Sequence, residues 1–254
     1  MDIQNKKVVV FDLDGTLAET KSPMDAEMAG LLTRLLTKKI VAVIGGGKYD
    51  LFKLQLIRQL RAPKMLLRKL FLFPTTATSF YRYDRGWKKI YNHQLSKQEK
   101  QSIYKALRET LELVGYVPPK KTYGRTVEDR GTQITFSTLG QDVVKVLGPR
   151  GVELKKKWKE ENVKVKMRIV KTLQKRLPGL KVSAAGYTSI DITRKGIDKA
   201  YGIKQIKKHL HVSTPEMIFI GDALFPGGND YAVRRTGVKC IPVSGPHKTK
   251  QLIR

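Results

Sequence analysis

Residues 8–17 read VVVFDLDGTL. Four apolar residues, Val8 to Phe11, run without alternation, and two aspartates, Asp12 and Asp14, follow with Gly15 behind them. An unbroken apolar run of this length, closed by a turn, predicts a strand buried on both faces over residues 6–12. In an extended segment residues i and i+2 point the same way, so Asp12 and Asp14 would present two carboxylates to one target. Such a pair repels itself unless a positive charge lies between its members.

Outward from that strand the pattern repeats. Residues 23–38 (PMDAEMAGLLTRLLTK) predict a helix with Ser22 as N-cap and Pro23 as its first residue. KIVAVIGGG, residues 39–47, is a second apolar strand ending in glycines, and YDLFKLQLIRQL, 49–60, is helical in pattern. Strand and helix in alternation argue for an α/β fold, a Rossmann-like parallel-sheet core. The pattern then changes. Residues 69–91 are rich in Thr, Tyr and Phe and predict antiparallel hairpins. A helix over 96–114, a strand at 132–139, a lysine-rich helix at 161–176 and strands within 179–193 follow. From Ile197 the α/β pattern returns, with a helix through His209, the strand MIFIGD at 217–222 and VKCIPV at 238–243. The predicted organisation is therefore a discontinuous core, 1–79 and 194–254, with an inserted α+β cap domain at 80–193.

Composition narrows the partners. Fifty Lys and Arg against 22 Asp and Glu give a net charge of +28, which predicts attraction to anions such as phosphorylated metabolites, nucleic acid or an anionic surface. Residues 145–176 alone hold twelve Lys or Arg and three Glu, a pattern that a solvated basic helix face also produces. No apolar run reaches the length of a membrane span. The start of the chain lacks the pattern of a secretory signal, and the single cysteine, Cys240, rules out an internal disulfide, so a cytoplasmic location is expected. Cys240 lies in an apolar strand and reads as a core thiol. Nothing in the sequence excludes a homodimer.

Ligands of parallel sheets bind beyond the carboxyl ends of the strands. Three predicted strands end there in Asp12 and Asp14, in Gly45–Gly46–Gly47, and in Asp222. A DxD pair alone is commonly a surface turn. DLDGT directly after a buried strand, with GD ending a second strand, is far more specific. Clustered carboxylates call for a cation, and an all-oxygen ligand set suits Mg²⁺, which often completes its shell with a substrate phosphate. With that ion in place Asp12 can attack phosphorus. Asp14 is placed to protonate the leaving oxygen and later to deprotonate the acceptor. Lys199, in KGIDKAYG, is the candidate stabiliser of the transferring phosphoryl group, and the amides of Gly45 to Gly47 are candidates to cradle it. The GGGKY stretch is not a Walker A loop, because Ala42 and Tyr49 stand where Gly and Ser or Thr are required.

FDLDGTL, the lysine of GIDKAYG and GDALFPGGND together resemble the motifs of the haloacid dehalogenase-like superfamily. EDRGTQITFSTLG, GYTSIDITRKGIDKAYG and GDALFPGGNDYAV resemble its subfamily IIB, with a C2-type cap, and within it the eukaryotic-type phosphomannomutases and their bacterial hydrolase relatives. The resemblance spans most of the chain. It implies Asp12 as nucleophile, Asp14 as general acid/base, and Mg²⁺ held by Asp12, the Asp14 carbonyl and Asp222, with Asp230 a ligand or the support of one. It also implies that Arg130, Ser189 and Asp191 meet the non-reacting end of a phosphosugar, and it puts Lys21 where the mutases carry an arginine.

Two departures stand out. Gly45 and Gly47 occupy the region where superfamily members usually place Ser or Thr, and Gln141 stands where the mutases carry an arginine. A mutase must grip both phosphates of a bisphosphate in turn, so losing a bidentate clamp favours hydrolysis. The expectation is a Mg²⁺-dependent phosphatase acting on a sugar phosphate or similar small phosphometabolite, with a phosphomannomutase as the alternative. A third reading is a nucleic-acid or anionic-surface binding protein on the same scaffold, motivated by the +28 charge and by the missing Ser or Thr.

Overall fold

The computed structural model describes residues 3–254. Seven strands build one sheet: β1 (Val8–Asp12), β2 (Ile40–Ile44), β3 (Leu70–Phe73), β4 (Ser79–Tyr83), β5 (Trp87–Asn92), β10 (Met217–Gly221) and β11 (Lys239–Pro242). Their order is β11-β10-β1-β2-β3-β4-β5. The run from β11 to β3 is parallel, and β4 and β5 close the sheet as an antiparallel pair. A second sheet, of order β6-β7-β9-β8, is antiparallel and holds β6 (Val127–Asp129), β7 (Ile134–Ser137), β8 (Leu180–Ala185) and β9 (Ser189–Arg194). The helices of eight or more residues are α1 (Ala26–Lys38), α2 (Lys97–Leu113), α3 (Pro149–Arg176), α4 (Lys199–Leu210) and α5 (Pro246–Ile253).

The continuous apolar strands are explained by burial on both sides. In β1, Val9 and Phe11 join one core cluster with Met28, Leu32 and Leu36 of α1, whereas Val8 and Val10 join a second with Ile203 and Ile206 of α4. In β10, Ile218 and Ile220 face the first cluster, and Met217 and Phe219 the second. All eight of these strand residues are fully buried, each worth about 1.5–3 kcal/mol for the larger side chains. From β1 the chain winds outward through β2 and β3, and it returns on the other side of β1 through β10 and β11. The winding therefore reverses between β1 and β10, the place where a parallel sheet opens a crevice at its carboxyl edge.

The described residues divide into two compact units, one running to Asn92 and resuming as Ile197–Arg254, the other His93–Gly196. The boundary expected at residue 80 is corrected, because β4 and β5 pair into the core sheet and Tyr81 and Trp87 pack on its core. In the His93–Gly196 unit the apolar face of the sheet (Ile134, Phe136, Ile190, Ile192) packs on Ile103 and Leu107 of α2 and on Ile169 and Leu173 of α3. Residues 69–91 are not all hairpin, since β3 pairs parallel to β2 before the β4–β5 hairpin begins.

Three helix expectations also shift. α1 begins at Ala26, capped by Asp25, whose carboxylate accepts from the Met28 N–H at 2.9 Å. Ser22 instead donates to the Thr20 carbonyl. The 49–60 segment is a short helix, Tyr49–Phe52, that widens into a π-helical turn, Lys53–Ile57. α3 starts at Pro149, twelve residues before the predicted start at 161. Its first half hides its inward face by spending a lysine there, Lys155, between Val152 and Trp158. Among the described residues no helix is long and apolar enough to cross a membrane.

Candidate active site

Asp12 ends β1, and Asp222 follows β10 directly. Since β1 and β10 are parallel neighbours in register, their carboxyl ends arrive side by side. Asp230, at the entrance to the 3₁₀ turn Tyr231–Thr236, folds back to them. Oxygens of Asp12, Asp222 and Asp230 lie within 4.8 Å of one another. Asp12 and Asp230 are buried and Asp222 is half-buried. Lys199, first residue of α4, is fully buried and reaches into the group. Its Nζ donates to Asp12 Oδ1 at 2.5 Å and to Asp230 Oδ1. The second oxygen of Asp230 accepts from the Ala223 N–H at 2.9 Å.

The local backbone leaves room for this cluster by omitting side chains. Gly15 has φ +84°, in the left-handed region, and a Cβ there would stand 2.6 Å from Asp222 Oδ2. A Cβ on Gly221 would meet Asp230 Oδ2 at 2.3 Å. The glycine behind the DxD pair thus serves the turn and the approach of the third carboxylate at once.

Charge inside the cluster is unbalanced. Burial pushes the Asp12 carboxyl well above the ordinary carboxylate range; the Lys199 ammonium opposes that shift, and repulsion from Asp230 and Asp222 adds to it. Burial also raises Asp222, to about 6, with repulsion from Asp230 as the next cause. Burial works against the charge on Lys199, but attraction by Asp12 and Asp230 outweighs it, so its pKa is raised and the ammonium persists. One lysine does not neutralise three carboxylates.

Asp14 stands apart from the three. Its Oδ1 accepts from the Lys21 N–H at 2.7 Å and from Gln55 Nε2 at 2.8 Å. The side chain expected to share one target with Asp12 is thereby turned toward the 20–24 loop and the π-helical turn, because Asp14 already lies in the turn beyond β1 rather than in an extended strand. Lys21 reaches Asp14 through its main chain. Gln55, fully buried, was missed by sequence reading. Its signal was a polar residue three positions after Phe52, where the inward face of an amphipathic helix should be apolar. The glycine cradle is also narrower than expected. The Gly45 N–H is consumed by the Phe73 carbonyl at 3.2 Å as the β2–β3 ladder runs on, which removes Gly45 from the amide donors that Gly46 and Gly47 were expected to share with it. A Cβ on Gly47 would lie 2.6 Å from the Leu51 side chain.

In the His93–Gly196 unit, Ser189 and Asp191 are paired in register with Ser137 and Thr135 and share one polar sheet face with them. Asp191 is buried and accepts from the Thr135 hydroxyl at 2.8 Å. Arg130 donates through Nε to Glu128 at 2.8 Å and through Nη2 to Gln141 at 3.2 Å. The glutamine that replaces a mutase arginine therefore holds the arginine expected to grip substrate. Lys166, buried on α3, donates to the carbonyls of Ala185, Gly186 and Tyr187 at 3.1, 2.9 and 3.4 Å.

A family model of haloacid dehalogenase-like hydrolases matches residues 9–232. The chain belongs to the haloacid dehalogenase-like hydrolases. It is a phosphomannomutase-like member of that family. It is 28% identical over 254 residues to a phosphomannomutase of Encephalitozoon cuniculi, covering 96% of this chain and 91% of that one. It is 26% identical to human phosphomannomutase 1, over 91% of this chain and 84% of the relative. Among solved structures its fold is similar to an IMP-nucleotidase of Plasmodium falciparum, with TM-score 0.73, 14% identity, and 99% and 69% of the two chains covered.

In this haloacid dehalogenase-like chain the donor set fits a hard divalent cation. Asp12, Asp222 and Asp230 offer only oxygen, they converge from three segments, and one lysine opposes their three charges. Mg²⁺ is the ion this arrangement suits.

Proposed function

We propose that this chain transfers the phosphoryl group of a small phosphorylated metabolite through Asp12, and that its reaction is the interconversion of mannose 1-phosphate and mannose 6-phosphate. The observation that carries the transfer is the convergence of Asp12, Asp222 and Asp230 around buried Lys199 at the carboxyl edge of the sheet. The observation that favours isomerisation over the hydrolysis expected from sequence is the match to phosphomannomutases along more than nine-tenths of the chain.

Mg²⁺ held by Asp12, Asp222 and Asp230 would supply positive charge against which a phosphate dianion can approach. A carboxylate oxygen of Asp12 first takes a phosphoryl group from a sugar bisphosphate, the bond to the sugar oxygen breaking as Asp14 gives that oxygen its proton. A free hydroxyl of the sugar monophosphate then attacks the aspartyl-phosphate, Asp14 takes the hydroxyl proton, and Asp12 is released as a carboxylate beside a bisphosphate. Asp12 then takes the other phosphoryl group of that bisphosphate, which frees the isomeric monophosphate and restores the aspartyl-phosphate, so only the first loading needs the activator. Lys199 fixes the rotation of Asp12 and stabilises charge on the transferring group. The Lys21 amide and Gln55 orient Asp14.

Hydrolysis is the second reading, with water in place of the sugar hydroxyl. It is favoured by Gln141 where the mutases have an arginine and by the engaged amide of Gly45. One assay separates them: mannose 1-phosphate with Mg²⁺ and a sugar bisphosphate activator, followed for both mannose 6-phosphate and free phosphate. Isomer formation exceeding phosphate release supports the mutase; phosphate without isomer establishes a phosphatase. Asp12→Asn should lower either activity on the order of 10³-fold or more. Full activity in that variant would remove Asp12 from the chemistry.

A further inference from the structure

The opposite, amino edge of the core sheet holds a recess of about 320 Å³ lined by Gln4, Asn5, Ile40 and five lysines: Lys6, Lys7, Lys38, Lys39 and Lys69. No acidic side chain lines it among the described residues. The lysines are brought together by strand register. Lys7, Lys39 and Lys69 directly precede β1, β2 and β3, which are neighbours in the sheet. Val8 pairs with Ile40 and Val41 with Leu70, and the ladder extends one step further through Ile40 N–H to Lys7 carbonyl (3.1 Å) and Val41 N–H to Lys69 carbonyl (2.9 Å). Adjacent strands lie about 5 Å apart, so Lys7 and Lys39 start opposite each other, and Lys69, opposite Ile40, starts one residue along on the next strand. Like charges facing each other across strands destabilise a sheet.

The chain does little to cancel this charge. Lys6 donates to the Pro215 carbonyl at 2.6 Å, Lys39 to the Gln4 carbonyl at 2.5 Å and Lys69 to the Thr37 carbonyl at 2.9 Å. These partners are neutral: they aim the ammonium groups without neutralising them. Among the described residues only Lys7 of the five meets a carboxylate, Glu216, at 2.7 Å. The Lys38 ammonium has no partner among the described residues. Each ammonium has three donors, so a carbonyl bond still leaves donors for a ligand. The end of α1 accounts for Lys69 at Thr37 and for Lys38 in the helix's last turn, but not for the other three.

We propose that this recess is an anion site for a linear polyphosphate, such as the triphosphate chain of a nucleoside triphosphate. The row of lysines matches a chain of successive phosphates better than a single phosphate. The site is separate from Asp12, at the far end of the five-residue strand β1, about 16 Å away.

The test is calorimetric titration of the full chain with tripolyphosphate, ATP and orthophosphate at low salt with EDTA. Without metal the carboxylate cluster repels anions, so binding there does not compete. Tripolyphosphate and ATP should bind one to one, orthophosphate at least tenfold more weakly, and affinity should fall with salt. The triple variant Lys38→Gln, Lys39→Gln, Lys69→Gln should weaken tripolyphosphate binding tenfold or more. The variant Lys164→Gln, Lys171→Gln, Lys175→Gln on α3 loses the same charge and should bind as the wild type. In the wild type, bound tripolyphosphate should slow acetylation of Lys38, Lys39 and Lys69 and not of Lys164 or Lys171, a measurement that needs no variant to fold. Absence of tripolyphosphate binding, equal losses in both triple variants, or protection elsewhere would overturn the assignment.

Discussion

The two ends of one parallel sheet carry opposite charge, and they handle it differently. At the carboxyl end, β1 and β10 deliver Asp12 and Asp222 beside Asp230, and α4 supplies Lys199 as a buried counter-charge. At the amino end, β1, β2 and β3 line up Lys7, Lys39 and Lys69, and their charges are aimed mostly at carbonyls. Like-charge crowding is tolerable in a folded chain when part of the compensation is internal or when the groups stay wet. The acidic end uses the first route and buries its charges. The basic end uses the second and remains open to solvent and to anions.

The largest effect that should break the contrast is loss of the internal counter-charge. Lys199→Met leaves buried carboxylates uncompensated and should cost about 3–5 kcal/mol in denaturant unfolding without metal. Mg²⁺ should restore more stability to this variant than to the wild type; no difference between the two would mean that the ion and the lysine do not share the same carboxylates.

A buried lysine without a carboxylate bonded to it sharpens the point. Burial lowers Lys166 to about 8, an effect that nearby Asp191 opposes and Lys159 reinforces. Below about pH 8 the folded and unfolded chains both carry its charge, and the folded chain bears the whole cost of burying it. Between about 8 and the ordinary 10.5 only the unfolded chain holds that proton, so stability should rise with pH, by at most about 3 kcal/mol. Unfolding curves for the wild type and Lys166→Met across this window isolate the contribution, and a parallel pH dependence in both would refute it.

Metal binding ranks next. Mg²⁺ at a hundred times its Kd should add about 2.7 kcal/mol to unfolding stability, reversed by EDTA. Asp222→Asn should shrink that gain, while substitutions at the lysine row leave it intact. The smallest effect belongs to the row itself. Lys39→Gln should stabilise the chain by about 0.2–1 kcal/mol at low salt, an advantage that fades at high salt. A salt-independent or destabilising change would show that Lys39 is held by packing rather than set against its neighbours.

Much of this was legible in the sequence. β1, β2 and β10 announce themselves because a strand covered on both faces needs no polar alternation, and β1 fixes where the carboxylates must end. α2 was equally plain, and in the structure Ser96 before it and Glu99 in its first turn close a capping box. What failed depended on partners distant in sequence. β3 and the β4–β5 pair belong to the core sheet through pairing that no local pattern encodes. The inward lysines of α3 disguised its amphipathic face. At the site, Asp12, Lys199 and Asp222 were placed together as read, while the turn beyond β1 carried Asp14 to Gln55 and the Lys21 amide. The lysine row was invisible for a related reason: residues 7, 39 and 69 become neighbours only through the register of three strands.

The interruption of the core by the His93–Gly196 unit bears on how the chain emerges from the ribosome. β1 is an inner strand of the finished sheet, paired on both sides, yet its neighbour β10 is not made until residues 217–221. Until then the nascent protein exposes an unpaired edge of β1, Asp12 has no Asp222 or Lys199 beside it, and an uninterrupted stretch, 93–196, is free to fold first. The carboxylate cluster is thus withheld until residues 199–230 have been made, and a chain cut short before them carries no assembled Asp12–Asp222–Asp230 site.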